Sequence, residues 1–594
     1  MTLITLGAAC LNQTPLDWDG NHQRMVAAID EAREQGVGLL CLPELCITGY
    51  GCEDMFFAAD VHETAMKELT RLAPQTQGIA VAFGLPVFYD SALYNAAALL
   101  ADGKLVDIVA KQFLAGDGIH YEPRWFDRWP AGKVGSVEVD GRSYPLGDLV
   151  FNLGGVRIGF EICRDAWVDD RPGGRLARRG ADVLLNPSAS HFAFAKQDIR
   201  RRLVLEGSQA FSTSYVYCNL LGNESGRAIY DGGVMIASDG QMIAYGPRFS
   251  YADHRLTTAV VDVAETRRSR SAAFNGGEED GHVEADYSWP TPTESSPTPP
   301  LASQASDYDT WELSDHIKEE EFTRAVTLAL FDYLRKSRAG GFVVSLSGGA
   351  DSSAVTVLIG LMVRLAAAEL GKKTLLERLS HVRSLRDVPA DASPKRIVQR
   401  LLACVYQATQ NSSDTTRNAA AKIAETVGAE FLEWNVDAMV DGYVQTVSSA
   451  IGRELTWEHD DLALQNVQAR ARGPGAWLLA NLRDALLLAT SNRSEAAVGY
   501  ATMDGDTCGG LSPIAGIDKA FLRQWLAWME TTGPDGLGPV PELSVVNQQA
   551  PTAELRPPSA GQTDEADLMP YPVLDAIERV AIRDKRFPAE ACQL

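Results

Sequence analysis

The sequence predicts an α/β protein in two halves joined by a linker, on three observations. Over residues 1–263, short apolar runs alternate with stretches whose apolar residues recur at helical spacing. Over about 266–312 that pattern disappears. It then returns to the end of the chain, beginning with "GFVVSLSGGADSSAVTVLIGL" (341–361), which reads as a strand, a glycine turn and a helix start.

In the first half, Leu3–Ala9, Gly38–Leu42, Ile79–Gly84, Val156–Ile162, Ala181–Leu185 and Tyr215–Leu220 read as strands. Between the first two, Met25, Val26, Ile29 and Ala32 fall at helical spacing. Residues 264–312, including "NGGEEDGHVEADYSWPTPTESSPTPPLASQASD", are rich in Pro, Ser, Thr and acids. Such a composition buries no core and predicts a linker, for which Trp289, Tyr308 and Trp311 offer anchors. In the second half, 313–594, a helical "EEEFTRAVTLALFDYLRKS" precedes a strand at Phe342–Leu346. Residues 372–400 read as an added helical excursion.

Composition narrows the function classes. A chain of 594 residues predicts two or three domains, and 45% hydrophobic with 22% charged residues is a globular balance. No run of about 18 uninterrupted apolar residues occurs, so a membrane span is not expected. The N-terminal segment lacks a basic region and reads as a first strand, not a signal peptide. A net charge of −24 argues against a nucleic-acid partner, and Arg200, Arg201 and Arg202 read as a solvated helix face. The nine cysteines are odd in number and form no CxxC pair, which argues against a disulfide framework and for a reducing cytoplasm. No His/Cys cluster has zinc spacing.

The stretch "SLSGGADSS" carries the first chemistry. Gly348 and Gly349 allow close backbone approach to a ligand, and Ser345, Ser347, Ser352 and Ser353 add hydroxyl donors. The helix starting near Asp351 aims its positive end at the same place. Asp351 itself reads either as a helix cap or as a ligand joining magnesium to phosphate. The motif resembles the pyrophosphate loop of the N-type ATP pyrophosphatases, which implies cleavage of ATP between its α and β phosphates.

The segments "NVQARARG" (466–473), "LATSNRSEAAVGYATMDGD" (488–506) and "APTAELRPPSAGQTDEADLMPYPVLD" (550–575) resemble NAD synthetases, in that family's order. The resemblance implies a doubly wound parallel sheet, with ATP and deamido-NAD as substrates and Mg²⁺ as cofactor. It implies Glu495 as the second carboxylate on magnesium, lying also at the deamido-NAD site. It further implies Thr490 near ATP, Arg470 near the dinucleotide, Lys519 and Thr552 on phosphates, and Asp506 in the acceptor's pocket. The residues alone leave alternatives: Glu495 also reads as a first-turn acid, and Lys519 as a surface lysine. Arg470 and Arg472 lie two apart, so only one of them faces a ligand, and Arg470 is the expected one. The family's aromatic-proline strand end is absent here, and the base pocket is expected near Tyr406–Thr409.

A nitrogen donor is the remaining requirement. "FEICRDAW" puts Cys163 just beyond an apolar strand, "LLCLPELCITGY" does the same for Glu44, and "IVAKQF" for Lys111. Glu, Lys and Cys in that order resemble the nitrilase superfamily, and "VLLNPSASHF" and "VYCNLLGNESGRAIYDGG" resemble its glutaminase branch. The resemblance implies an α-β-β-α sandwich that hydrolyses glutamine. It implies Glu44 as base, Cys163 as nucleophile, and Lys111 with a backbone N–H near Arg164 as oxyanion donors. Glu122 resembles the branch's second glutamate, which orients the lysine. The family commonly reads Cys-Glu-Asp where this chain has Cys163-Arg164-Asp165. Together the two resemblances imply ATP-dependent amidation of deamido-NAD, with an internal ammonia passage. A long linker joining two α/β halves points to a homo-oligomer, since a passage needs the halves held in register. The rivals are another amidating ATP pyrophosphatase and a catalytically inert scaffold.

Overall fold

The computed structural model describes residues 2–273, 282–292, 309–557 and 562–593. It divides into two compact units, Met1–Lys318 and Glu319–Leu594.

The first unit is built on two sheets. The eight-stranded sheet runs in the order His254–Asp262, Leu3–Leu11, Leu39–Cys41, Ala80–Tyr89, Ala92–Ala101, Lys104–Ala110, Arg142–Gly147, Val134–Val139. The seven-stranded sheet runs Gln241–Tyr245, Val234–Ser238, Ser214–Asn219, Val183–Ser188, Val156–Phe160, Val150–Leu153, His282–Ala285. They pack face to face: Leu3–Leu11 lies on Ser214–Asn219, where the Cys218 thiol donates to the Ala9 carbonyl at 3.3 Å. Strands sandwiched this way are covered on both faces, which is why they read as continuous apolar runs. Helices Trp18–Glu34 and Ala59–Leu72 cover the first sheet, burying Met25, Ala28, Ile29, Ala65 and Leu69. Helices Pro172–Arg178 and Lys196–Phe211 cover the second through Leu176 and Val204. The result is the α-β-β-α sandwich that the resemblance implies.

Two expectations for this unit need correction. The described parts of the stretch read as linker belong to the first unit. Val263–Ala273 is a helix whose Arg267 and Arg270 both bond Asp182 at 2.6 and 2.7 Å, and His282–Ala285 adds a parallel edge strand to Val150–Leu153. Beyond it, the Tyr287 hydroxyl donates to Gly38 O at 2.7 Å and the Trp289 indole to Leu153 O at 2.8 Å. Trp311 packs on Phe249, under the Arg248 guanidinium. A few aromatic anchors suffice, and averaged composition conceals them. Tyr308 lies outside the described residues. Arg200 is not on a solvated face: it is 1% exposed and pairs with Asp231, whereas Arg201 and Arg202 are both exposed.

The second unit holds a four-stranded parallel sheet in the order Glu430–Asn435, Leu402–Ala408, Phe342–Ser345, Leu486–Leu488. Helix Ala350–Leu370 follows strand Phe342–Ser345, and helix Asp414–Val427 follows strand Leu402–Ala408. The strand order reverses between Phe342–Ser345 and Leu486–Leu488, and a doubly wound sheet opens a crevice beyond the carboxyl ends there. Ala350–Leu370 is long and apolar enough to cross a membrane by length and composition, yet 67% of its most apolar window is buried in protein. The 372–400 stretch forms helices Lys372–Arg378 and Pro394–Leu401 with a short turn between.

Candidate functional site

In the first unit, four predicted residues meet in one sealed cluster. Glu44 follows strand Leu39–Cys41, Lys111 ends strand Lys104–Ala110, and Cys163 follows Val156–Phe160. The Lys111 ammonium bonds Glu44 Oε1 at 2.5 Å and Glu122 at 2.9 Å. Glu44 also accepts from Asn95 Nδ2 at 2.7 Å and from the Ala189 N–H at 2.9 Å. Glu122 accepts from the Tyr50 hydroxyl at 2.7 Å and the Ala115 N–H at 3.0 Å. Cys163 is buried, with a backbone φ of +44°. A side-chain-bearing residue adopts that conformation only when its surroundings impose it, and such strain gathers at functional turns.

Electrostatics follow from burial. Burial pushes the Cys163 thiol up to about 12; Glu44 adds to this and Lys111 opposes it. Burial likewise raises Glu44, with Lys111 working against it. Burial works to lower Lys111, but Glu122 and Glu44 outweigh it and hold the ammonium charged. The cluster therefore brings together a thiol, a carboxylate of raised basicity and a fixed cation, the groups that a nucleophile, a base and an oxyanion partner require.

Sequence reasoning missed the wall beside this cluster. His120 lies 3.1 Å from the Tyr50 hydroxyl and 2.9 Å from His191, and Lys196 Nζ lies 3.3 Å from His191 Nδ1. Burial, and then Arg200, pull Lys196 down to about 8, while the Cys163 thiolate would oppose that shift. A lysine in "SHFAFAK" carries no sequence signal separating it from a surface charge. Arg164 points outward and pairs with Asp117 at 3.4 Å, both on the exposed side.

In the second unit, one cavity beyond the carboxyl ends of the strands is lined by Ser345, Ser347, Gly349, Asp351, Ser352, Thr490, Glu495, Asp506, Lys519 and Thr552. Gly348 turns the loop at φ +84°, and a Cβ there would lie 2.1 Å from Thr416 O. Ser347 and Ser352 hydroxyls lie 3.0 Å apart, above the first turn of Ala350–Leu370. Lys519 bonds both Asp351 and Glu495, the latter at 2.9 Å. Burial and Asp351 push Glu495 up to about 7. Two carboxylates converging on one cation position, beside a loop built for phosphate oxygens, fit the hard-oxygen donor set of magnesium, which keeps waters and substrate phosphates as its other ligands.

Asn492 was missed: it donates to Asp351 Oδ1 at 2.9 Å and accepts from the Glu495 N–H at 3.0 Å, so it holds the two acids together. Its signal was present as Asn492-x-x-Glu495, a helix-capping pattern. The cavity takes Arg472 rather than Arg470. Arg470 is exposed and donates to Met503 O at 3.1 Å, whereas Arg472 donates to Gln407 O at 3.2 Å. Helical spacing separates the two arginines but does not say which faces inward. Tyr406 and Gln407 also line the cavity, at the end of strand Leu402–Ala408.

The chain matches two family models, "Carbon-nitrogen hydrolase" over residues 5–271 and "NAD synthase" over residues 322–593. It is 31% identical to the glutamine-dependent NAD(+) synthetase of Saccharomyces cerevisiae, over 95% of this chain and 83% of that one. It is 30% identical to that of Bos taurus, over 97% and 85%. A crystal structure of a glutamine-dependent NAD(+) synthetase from Cytophaga hutchinsonii superposes with a TM-score of 0.80 at 40% identity, over 99% of this chain and 88% of that one. Another such enzyme from Acinetobacter baumannii, solved with ADP, shares the fold at 21% identity and a TM-score of 0.66, over 100% and 90%. With a sealed thiol cluster in one unit, a phosphate loop faced by two carboxylates in the other, and likeness along almost its whole length, this chain belongs to the glutamine-dependent NAD(+) synthetase family.

Proposed function

We propose that the chain amidates deamido-NAD to NAD at the expense of ATP, taking nitrogen from glutamine through the residue roles that follow. Glu44 takes the Cys163 proton as the sulfur attacks the glutamine side-chain carbonyl, and returns it to departing ammonia. Lys111, with a backbone N–H near Arg164, stabilises the oxyanion, and Glu122 keeps the lysine in place. Water then releases glutamate. The half-buried Lys196, beside His191 in the wall of the cluster, suits the α-carboxylate of glutamine.

In the second unit, the Ser345–Ser353 loop cradles the departing pyrophosphate, with Lys519 and Thr552 on phosphate oxygens and Thr490 beside ATP. Asp351 and Glu495 would hold magnesium, which when bound supplies neutralisation of phosphate charge. Asp506 and Arg472 line the dinucleotide's part of the cavity. The nicotinate carboxylate attacks the α-phosphorus of ATP, and ammonia displaces AMP from the resulting adenylate.

The observation that carries this reading is one chain with both a Cys-Glu-Lys cluster and a phosphate loop facing paired carboxylates. With deamido-NAD, Mg-ATP and glutamine, each NAD formed should accompany one AMP and one pyrophosphate. Formation of ADP, or no use of ATP, would overturn it. We also read the protein as a homo-oligomer: helix Asp437–Ile451 buries no residue and exposes Met439, Tyr443, Val447 and Ile451 at four-residue spacing. A single-subunit mass in sedimentation would refute that. Nine free thiols support a cytoplasmic location, which cell fractionation tests.

A further inference from the structure

We propose that Asp165 is a positioning residue that sets the distance between Cys163 and Lys111. The inference rests on the proposed roles of those two groups.

Cys163 and Lys111 hang on different sheets. Lys111 ends a strand of the eight-stranded sheet, and Cys163 follows one of the seven-stranded sheet. Within a sheet, ladder hydrogen bonds fix neighbouring strands to a fraction of an ångström. Between two packed sheets there is no ladder, only side-chain packing. A reaction whose transition state puts charge between sulfur and ammonium needs a tighter tie, because an ångström of misplacement costs on the order of 10²-fold in rate.

Asp165 supplies that tie through three backbone bonds. Its Oδ2 accepts from the Ile162 N–H at 2.9 Å, one residue before the nucleophile. Its Oδ1 accepts from the Phe113 N–H at 2.8 Å and the Gln112 N–H at 3.2 Å, the two residues after Lys111. One carboxylate thus grips both the cysteine turn and the lysine's own chain. The side chain is 2% exposed, and no salt bridge to it is found among the described residues. A buried carboxylate without an ion pair is expensive, so its three N–H donors matter. Glu44 makes a parallel tie from the first sheet to the second through the Ala189 N–H.

The chemistry of the grip requires two acceptor oxygens. In Asp165→Asn one oxygen becomes an NH₂ group, which faces an N–H donor instead of accepting from it. Asp165→Glu keeps both oxygens on a longer stem. The test measures glutamine-driven and ammonia-driven NAD formation in the full chain, with functional sites counted by stoichiometric alkylation of Cys163. Asp165→Asn should lower glutaminase kcat per alkylatable site about 10²-fold, with KM for glutamine changed less than about threefold. Asp165→Glu should recover at least about a third of the lost rate on a logarithmic scale. Ammonia-driven turnover should stay within about twofold for both.

A merely structural role would instead reduce the number of alkylatable sites and leave kcat per site unchanged; that result overturns the proposal. So does an equal loss of ammonia-driven turnover, or a full loss in Asp165→Glu equal to that in Asp165→Asn. Cys163→Ala and Lys111→Gln serve as controls. If either keeps glutamine-driven turnover, the roles beneath the inference fail. If both lose it while Asp165→Asn keeps its kcat, only the inference fails.

Discussion

Lys111 and Lys519 each stand between two carboxylates, and they differ in solvent. In the first unit, the side chains of Lys111, Glu44 and Glu122 are 0%, 0% and 1% exposed. In the second, Lys519 is 3% exposed, but Asp351 and Glu495 are 18% and 12% exposed and face the cavity. Under the roles proposed above, the same three charges serve two ends. Sealed from water, the first trio keeps its partners and presents a fixed cation to a small, neutral amide. Open to the cavity, the second can exchange partners when a polyanion enters, which a phosphate-handling site requires.

The largest test of this contrast uses one substitution from each unit. Cys163→Ala should cut glutamine-driven NAD formation by at least about 10⁴-fold and leave ammonia-driven formation within about twofold. Asp351→Asn should lower both by about 10²–10³-fold, since both nitrogen sources meet the same adenylate. Equal losses from both donors in Cys163→Ala would erase the division of labour. The next test compares the lysines as structural elements. Lys111→Met leaves two buried carboxylates without their cation and should cost about 3–5 kcal/mol. Lys519→Met, whose carboxylates reach water, should cost about 1–2 kcal/mol. Calorimetry of the full-length variants reads this, and equal costs would refute the difference in sealing. The smallest effect concerns pH. With the Cys163 thiol raised to about 12, its thiolate is scarce in neutral solution. Alkylation by iodoacetamide in the absence of glutamine should rise about tenfold per pH unit between pH 7 and 9. A plateau below pH 8 would indicate a preformed thiolate.

Much of this was legible in the sequence, for physical reasons that vary by residue. Leu3–Leu11 and Val183–Ser188 are covered on both faces, so their apolar runs announce them. Glu44, Lys111 and Cys163 each sit where such a run ends, and Gly348 marks a turn that only glycine tolerates. The hairpin partner of the strand before Lys111 was harder: Ala92–Ala101 is rich in alanine, whose small side chains give a weak pattern. Arg472 could not be told from Arg470, because spacing fixes the angle between two side chains but not the rotation of their helix. Asp165 is silent for another reason. Two of its three partners are backbone N–H groups 52 and 53 positions away, and no residue type advertises those.

The short strand His282–Ala285 decides where this chain can be cut. It covers the rim of the seven-stranded sheet at Val150–Leu153, and Trp289 just beyond it fills the space over Gly38. A fragment stopping at residue 271, where the hydrolase family match ends, would lack both. It would present a bare ribbon of unpaired amides, ready to zip onto another molecule and precipitate. Excision of a soluble glutaminase therefore has to carry the acidic, proline-rich stretch along, through Lys318.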